Sequence, residues 1–160
     1  MKPWITACAA AWLAGCAAYD GSGLRPGAST ESEVRSVMGP PALEMRDADG
    51  SRQLYYPRGP LGHQTFVAEV GGNGVLREVR GVLNDDVFNR IRPGLSGEDV
   101  LRMIGPPREK AYFARLGQTA WDYKFVDTWG YPSILSVMID NDDRVVGKVT
   151  RRIERFDRGN

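Results

Sequence analysis

The sequence predicts an α+β fold made of two tandem copies of one unit, each a short helical segment followed by an antiparallel β-meander. Three observations carry this. Arg25-Pro26-Gly27-Ala28-Ser29-Thr30 through Gly39-Pro40-Pro41 reappears as Arg92-Pro93-Gly94-Leu95-Ser96 through Gly105-Pro106-Pro107. Val34 and Val100, Gly39 and Gly105, and Pro41 and Pro107 are each 66 residues apart, so one supersecondary unit is used twice. Downstream of each copy, strand-like runs alternate with turn residues, which is the order of an α+β unit.

The elements follow in order. Thr30 with Glu33 forms a helix-opening capping box, and Ser96 with Asp99 forms its shorter-armed equivalent. Val34, Val37 and Met38 make an i, i+3, i+4 apolar stripe, which Val100, Met103 and Ile104 repeat. Gly39 and Gly105 supply the left-handed stop, and the Pro-Pro pairs prevent continuation. Ala42 to Arg46 and Arg108 to Phe113 read as first strands. Tyr55 and Trp121, 66 apart, centre the second strands. In Thr119 to Phe125, Trp121, Tyr123 and Phe125 alternate with Ala120, Asp122 and Lys124, the period of a half-buried strand. Phe66 to Val70 and Ile134 to Ile139 are next. Gly71-Gly72-Asn73-Gly74 and Asp140-Asn141-Asp142-Asp143 turn the chain into closing strands, Val75 to Leu83 and Arg144 to Arg152. Between the copies, Asp85 to Ile91 reads as a short helix with Val87, Phe88 and Ile91 on one face.

The front of the chain reads as an address. Trp4 to Leu13 is an apolar run of ten residues. At ~1.5 Å per helical residue it covers about half of a ~30 Å hydrocarbon core, which suits a signal-peptide core rather than a span. Leu13-Ala14-Gly15-Cys16 follows directly and resembles a bacterial lipobox. That resemblance implies lipidation of Cys16, cleavage after Gly15 and acylation of the new amino terminus. The alternative is an ordinary signal peptide cut after an Ala-x-Ala pattern. Ala17 resembles the residue found there in Gram-negative lipoproteins sorted to the outer membrane. The expected division is signal peptide 1–15, tether 16–24, first repeat 25–83, second repeat 84–153 and polar tail 154–160.

Composition excludes several functions. The 160 residues hold 21 basic and 20 acidic side chains, and loss of the first 15 removes only Lys2, leaving charge balanced. A neutral domain lacks the field that draws proteins onto nucleic acid. With one histidine, His63, and with Cys8 cut away and Cys16 acylated, material for a zinc site, disulfide or cysteine nucleophile is absent. No cofactor, metal or small-molecule substrate is expected. Asp140, Asp142 and Asp143 read as turn residues rather than a Ca²⁺ loop, because no glutamate closes a twelve-residue loop. The glycines at 71, 72 and 74 lack the Lys-Ser/Thr of a phosphate loop. His63 reads as a loop histidine and Asp122 as a surface charge. Trp129 and Tyr131, on the connection Asp127 to Pro132, either fold over the core or serve as partner-binding anchors.

The pattern Pro-Gly-x-Ser/Thr, Glu/Asp-Val, Gly-x-Pro, an aromatic strand and an acidic hairpin resembles the SmpA/OmlA (BamE-like) family of outer-membrane lipoproteins. It runs through Phe88 to Ser96, Gly105-Pro106-Pro107, Trp121-Asp122-Tyr123 and Ile139 to Val146. The resemblance implies a non-enzymatic scaffold on the periplasmic face of the outer membrane, held by acylated Cys16 and partnered with the β-barrel assembly machine. The tandem arrangement is also similar to β-lactamase inhibitory proteins, where helices cover one side of a sheet and the other side grips a partner. That implies a periplasmic inhibitor- or sensor-type domain. The reading of a different class is an envelope hydrolase working through Asp122 or His63.

Overall fold

A computed structural model describes residues 20–58 and 62–153. The signal segment, Cys16 and the tail 154–160 lie outside the described residues. The fold is mixed, with two separate four-stranded antiparallel sheets and few short helices. Helix α1 (Glu31–Met38) precedes β1 (Leu43–Arg46), β2 (Arg52–Pro57), β3 (Thr65–Val70) and β4 (Leu76–Gly81). Helices α2 (Asp85–Phe88) and α3 (Gly97–Ile104) precede β5 (Glu109–Phe113), β6 (Gln118–Val126), β7 (Pro132–Asp140) and β8 (Val145–Arg152). Each sheet runs in chain order, β1-β2-β3-β4 and β5-β6-β7-β8.

Local sequence explains the helices. Thr30 and Ser96 both form complete capping boxes, each hydroxyl accepting the N–H three residues on and each acidic partner accepting the cap N–H. Gly39 and Gly105 stop the helices at φ of 82° and 76°, a region that costs a side chain energy. Helix α2 is shorter than the expected Asp85 to Ile91. It ends at Phe88, and Asn89, Arg90 and Ile91 complete a tightening turn through bonds to Asp85, Val87 and Phe88 carbonyls.

The two copies differ in one register. Leu43 pairs with Tyr55, whereas Glu109 pairs with Asp122. The expected match of Tyr55 with Trp121 is therefore off by one residue, and Tyr55 lies level with Asp122. The second hairpin closes with an extra residue in its rungs and a shorter turn. Because strand side chains alternate, one residue moves Trp121 to the opposite face from Tyr55. Beyond that point the copies agree again, with bulges at Glu69/Val70 and at Met138/Ile139.

This slip builds the layering. Leu54, Tyr56, Ala68, Val70 and Leu76 face α1 and pack on Val34 and Met38. Tyr55 and Val67, on the other face of the first sheet, join a core with Val100 and Ile104 of α3 and Tyr123, Leu135 and Val137 of the second sheet. Helix α3 thus fills the space between the sheets. The Tyr55 hydroxyl lies 2.7 Å from the Arg102 carbonyl, and Tyr123 donates to the Gly105 carbonyl at 3.1 Å. A side chain at Gly105 would strike the Tyr55 ring at 2.9 Å, so glycine sets how closely helix and first sheet approach. The expectation that helices leave one side of each sheet open is corrected: the first sheet is covered on both faces, and the second is covered on one. Every described helix, strand and core side chain lies between Leu24 and Arg152, so a chain that starts at Ala17 keeps both cores.

Candidate functional site

The uncovered face of the second sheet gathers what period-two alternation points away from Trp121, Tyr123 and Phe125. Its central row is Glu109, Asp122, Ser136 and Val149, from adjacent strands. The next row holds Ala111, Ala120, Met138 and Gly147. Asp122, Ser136, Val149, Ala111, Ala120 and Met138 of these rows, with Arg151 and with Phe113 and Leu116 from the β5–β6 end, line a shallow concavity of about 300 Å³. Phe113, Leu116 and Val149 are exposed at 47%, 61% and 59%. At its centre Ser136 donates to the Asp122 carboxylate at 2.6 Å. The equivalent row of the first sheet is Leu43, Tyr55, Val67 and Arg80. There the row is occupied by α3, while its counterpart on the second sheet has no element of the described chain over it. A largely apolar surface around one polar pair is suited to docking.

The second exposed feature is the β6–β7 hairpin. Trp129 is 78% exposed at its tip, and Tyr131 is exposed beside it. The hairpin is rigidly built. Asp127 accepts the N–H groups of Trp129 and Tyr131 on one oxygen, both at 2.9 Å, and the Arg152 guanidinium on the other at 3.0 Å. Burial works to raise the Asp127 carboxyl. The Tyr131 N–H, the Arg152 guanidinium and the Trp129 N–H outweigh it and hold the group below the usual carboxylate range. Arg152 also stacks over Tyr131 at 4.4 Å, and Gly130 takes the turn at φ 83°. Trp129 and Tyr131 do not fold over the core. They stand on a hairpin whose backbone geometry is fixed by one carboxylate.

A cleft of about 540 Å³ lies where the two sheets meet near Tyr123. Arg58, Arg108, Lys124 and Gln64 line it, and no carboxylate is among its described lining residues. His63 sits in the β2–β3 loop of the first sheet, and Asp122 sits on the outer face of the second. The structure does not bring these two together. No group of three or more His, Cys, Asp or Glu gathers into a metal site among the described residues. In the β7–β8 turn, Asp140 accepts the N–H groups of Asp142 and Arg144, and Asp143 accepts that of Gly97. The Asp143 carboxylate fastens the hairpin to the start of α3, and that of Asp140 shapes the turn itself. Gly71 to Gly74 form a hairpin closed by Gly71 N–H on Val75 carbonyl at 2.9 Å.

Sequence reasoning named Trp129 and Tyr131 but missed Phe113, Leu116, Met138 and Val149. The signal was present for Met138, which alternates out of phase with the buried Val137 and Ile139. Strand β5 is exposed throughout, and Lys148 and Thr150 beside Val149 are exposed, so no buried neighbour marks Phe113 or Val149. Leu116 lies on a turn, where no period applies.

No family model matches the chain, and no curated protein matches it. Among solved structures it is similar to a DUF4309 family protein (YjgB) from Bacillus subtilis, at 14% identity and a TM-score of 0.32, over 82% of this chain and 84% of that one. It is also similar to a candidate beta-lactamase inhibitor protein from Streptococcus mutans, at 9% identity and a TM-score of 0.33, over 79% and 84% of the respective chains. Overlays this loose leave the functional reading to rest on the chain's own geometry.

Proposed function

We propose that the chain is a non-enzymatic protein-binding module, hung from a membrane by acylated Cys16, that grips its partner on the outer face of its second sheet. The observation that carries the reading is the single uncovered sheet face: Phe113, Leu116, Met138 and Val149 around the Asp122–Ser136 pair. Burial of such a surface is the main favourable term in association, and it is incompletely used in the isolated chain. The module is of the inhibitor or sensor type: two copies of one unit, the first sealed on both faces and the second left open to a partner. Localisation on the periplasmic face of the outer membrane follows from the lipobox resemblance and from Ala17. Service in β-barrel assembly, which the SmpA/OmlA resemblance implies, has no family match behind it and stands second.

Site-specific photo-crosslinking tests the reading. A photoreactive residue at Leu116 is expected to capture one envelope protein in intact cells, and Val149→Asp is expected to abolish the capture. A photoreactive residue at Ser36, on the solvent side of α1, is expected to capture nothing. Capture from Ser36 but not from Leu116 overturns the assignment of the face. An envelope enzyme as the captured protein supports the inhibitor reading, and barrel-assembly subunits support the scaffold.

A further inference from the structure

The Trp129 hairpin extends beyond one end of the sheet face described above, and its surroundings point to a second contact at that end. The last rows of the second sheet before the hairpin hold Lys124, Ile134 and Arg151 on the outer face, then Phe125, Ser133 and Arg152 on the inner one. Lys124 is three residues from Asp127 along a strand, within about 10 Å of the turn. Neither Lys124 nor Arg151 is paired with an acid among the described residues, whereas Asp127, the acid of the tip, is taken by Arg152. Arg58 and Arg108 line the cleft next to Lys124. This end of the molecule therefore combines an exposed tryptophan on a braced hairpin with the Lys124 and Arg151 charges, which pair with no acid among the described residues, although the chain as a whole is nearly neutral.

The amino-terminal segment leaves from the same end. The Gly27 N–H bonds the Leu76 carbonyl, and Gly21 lies against Val79, so going back along the chain moves forward along β4. That direction leads to Gly81, level with Phe66 and next to Thr65, which lines the same cleft as Lys124. Asp20 lies within the field of Arg58. Asp20 comes four residues after Cys16, a reach of about 14 Å when extended.

We propose that this end faces an anionic phospholipid surface, with Trp129 seated among the headgroups and Lys124 and Arg151 over the phosphates. The tryptophan is amphipathic and suited to an interface, and basic groups at a charged surface add attraction there. Because Asp127 already holds the hairpin backbone beneath Trp129, little backbone freedom is lost on docking. The orientation rests in part on the Cys16 anchor of the proposed function. The docking contact itself does not, and this makes the two separable.

Vesicle binding by the unlipidated chain from Ala17 onward tests the proposal. That chain has two tryptophans, Trp121 and Trp129, of which Trp121 is buried. Its emission change on docking is thus a report from Trp129. Phosphatidylcholine vesicles with about a third phosphatidylserine are expected to shift the emission to the blue, and the shift is expected to vanish in 0.5 M salt, where the Debye length is only about 4 Å. Lys124→Gln and Arg151→Gln are each expected to weaken binding about fivefold. Trp129→Ala is expected to weaken it by roughly tenfold or more, followed by sedimentation, with an unchanged unfolding midpoint. Leu116→Asp, at the β5–β6 end of the partner face and far from the hairpin, is expected to leave vesicle binding unaltered. No shift on anionic vesicles, an equal shift on pure phosphatidylcholine, or Trp129→Ala binding like the parent overturns the proposal. Burial of Trp129 only upon addition of the crosslinked protein partner also overturns it, by giving the tip to a protein interface. Failure of Cys16 to take up lipid would remove the anchor and leave the vesicle result to stand by itself.

Discussion

Two adjacent tyrosines make a controlled comparison. Tyr55 and Tyr56 are both buried, on opposite faces of β2. The Tyr55 hydroxyl lies 2.7 Å from the Arg102 carbonyl of α3 and 2.6 Å from the Gln53 amide oxygen, and its single proton serves one of them at a time. The Tyr56 hydroxyl is buried without a partner. Tyr55→Phe removes a net hydrogen bond, about 1 kcal/mol, and leaves a carbonyl of the last turn of α3 with less satisfaction, another ~1 kcal/mol or more. The expected loss is about 2 kcal/mol. Tyr56→Phe removes a desolvated hydroxyl and no bond. It is expected to leave stability unchanged or to raise it by up to about 1 kcal/mol. Urea unfolding of the two variants with equal m-values measures the difference as a shift in midpoint. Equal losses for both variants would refute the layering, because of the two tyrosines Tyr55 alone bonds α3.

Four further outcomes follow from the same contacts. Ile104→Ala, in a core that takes side chains from both sheets, is expected to cost 2–5 kcal/mol and to lower one common transition; two separated transitions in urea would show that α3 is not shared. The Ser96 hydroxyl, then the Ser96 N–H, hold the Asp99 carboxyl below its ordinary range. A lowered folded value stabilises above the unfolded value and is lost as pH falls through the folded one, so Asp99→Asn is expected to flatten the acid limb of stability against pH. Burial raises Tyr55 and Tyr56 to about 12 and raises Tyr123 as well. Their raised values stabilise below the ordinary tyrosine range and the contribution is lost as pH climbs through the folded values, so phenolate absorbance is expected to lag and to appear with unfolding between about pH 10 and 12. Cys16→Ser is expected to abolish metabolic labelling with palmitate and to release the protein from membranes; labelling that persists removes the anchor.

What the sequence revealed was local. Capping at Thr30 and Ser96, stops at Gly39 and Gly105, and turns at Gly71 to Gly74 and Asp140 to Asp143 are each decided by a few neighbouring residues. The Trp121, Tyr123, Phe125 alternation likewise reads directly as one buried face. What stayed hidden depends on distant pairing. A hairpin longer by one residue between Glu109 and Asp122 moves Asp122 into the row that Tyr55 holds in the first copy, and no local motif marks it. The place of α3 between two sheets is equally non-local, because its stripe of Val100 and Ile104 reads the same whether one sheet or two lie against it. The open face was unseen for that reason. Only once the seat filled by α3 on the first sheet is known does the empty counterpart at Asp122, Ser136 and Val149 stand out. Trp129 and Tyr131 were visible by size and context, since large aromatics on a connection need either cover or use.

The outer face of the second sheet is the central claim, and cysteine accessibility in intact cells tests it most directly. Under the proposed processing, which cuts Cys8 away and acylates Cys16, a cysteine placed at Ala111 or Val149 is the single free thiol. Its alkylation rate in cells is expected to fall at least tenfold below that of the purified protein, while a cysteine at Ser36 reacts at the same rate in both. Equal rates at Ala111 and Val149 in cells and in isolation would contradict the account, because the face would then be bare where its partner resides.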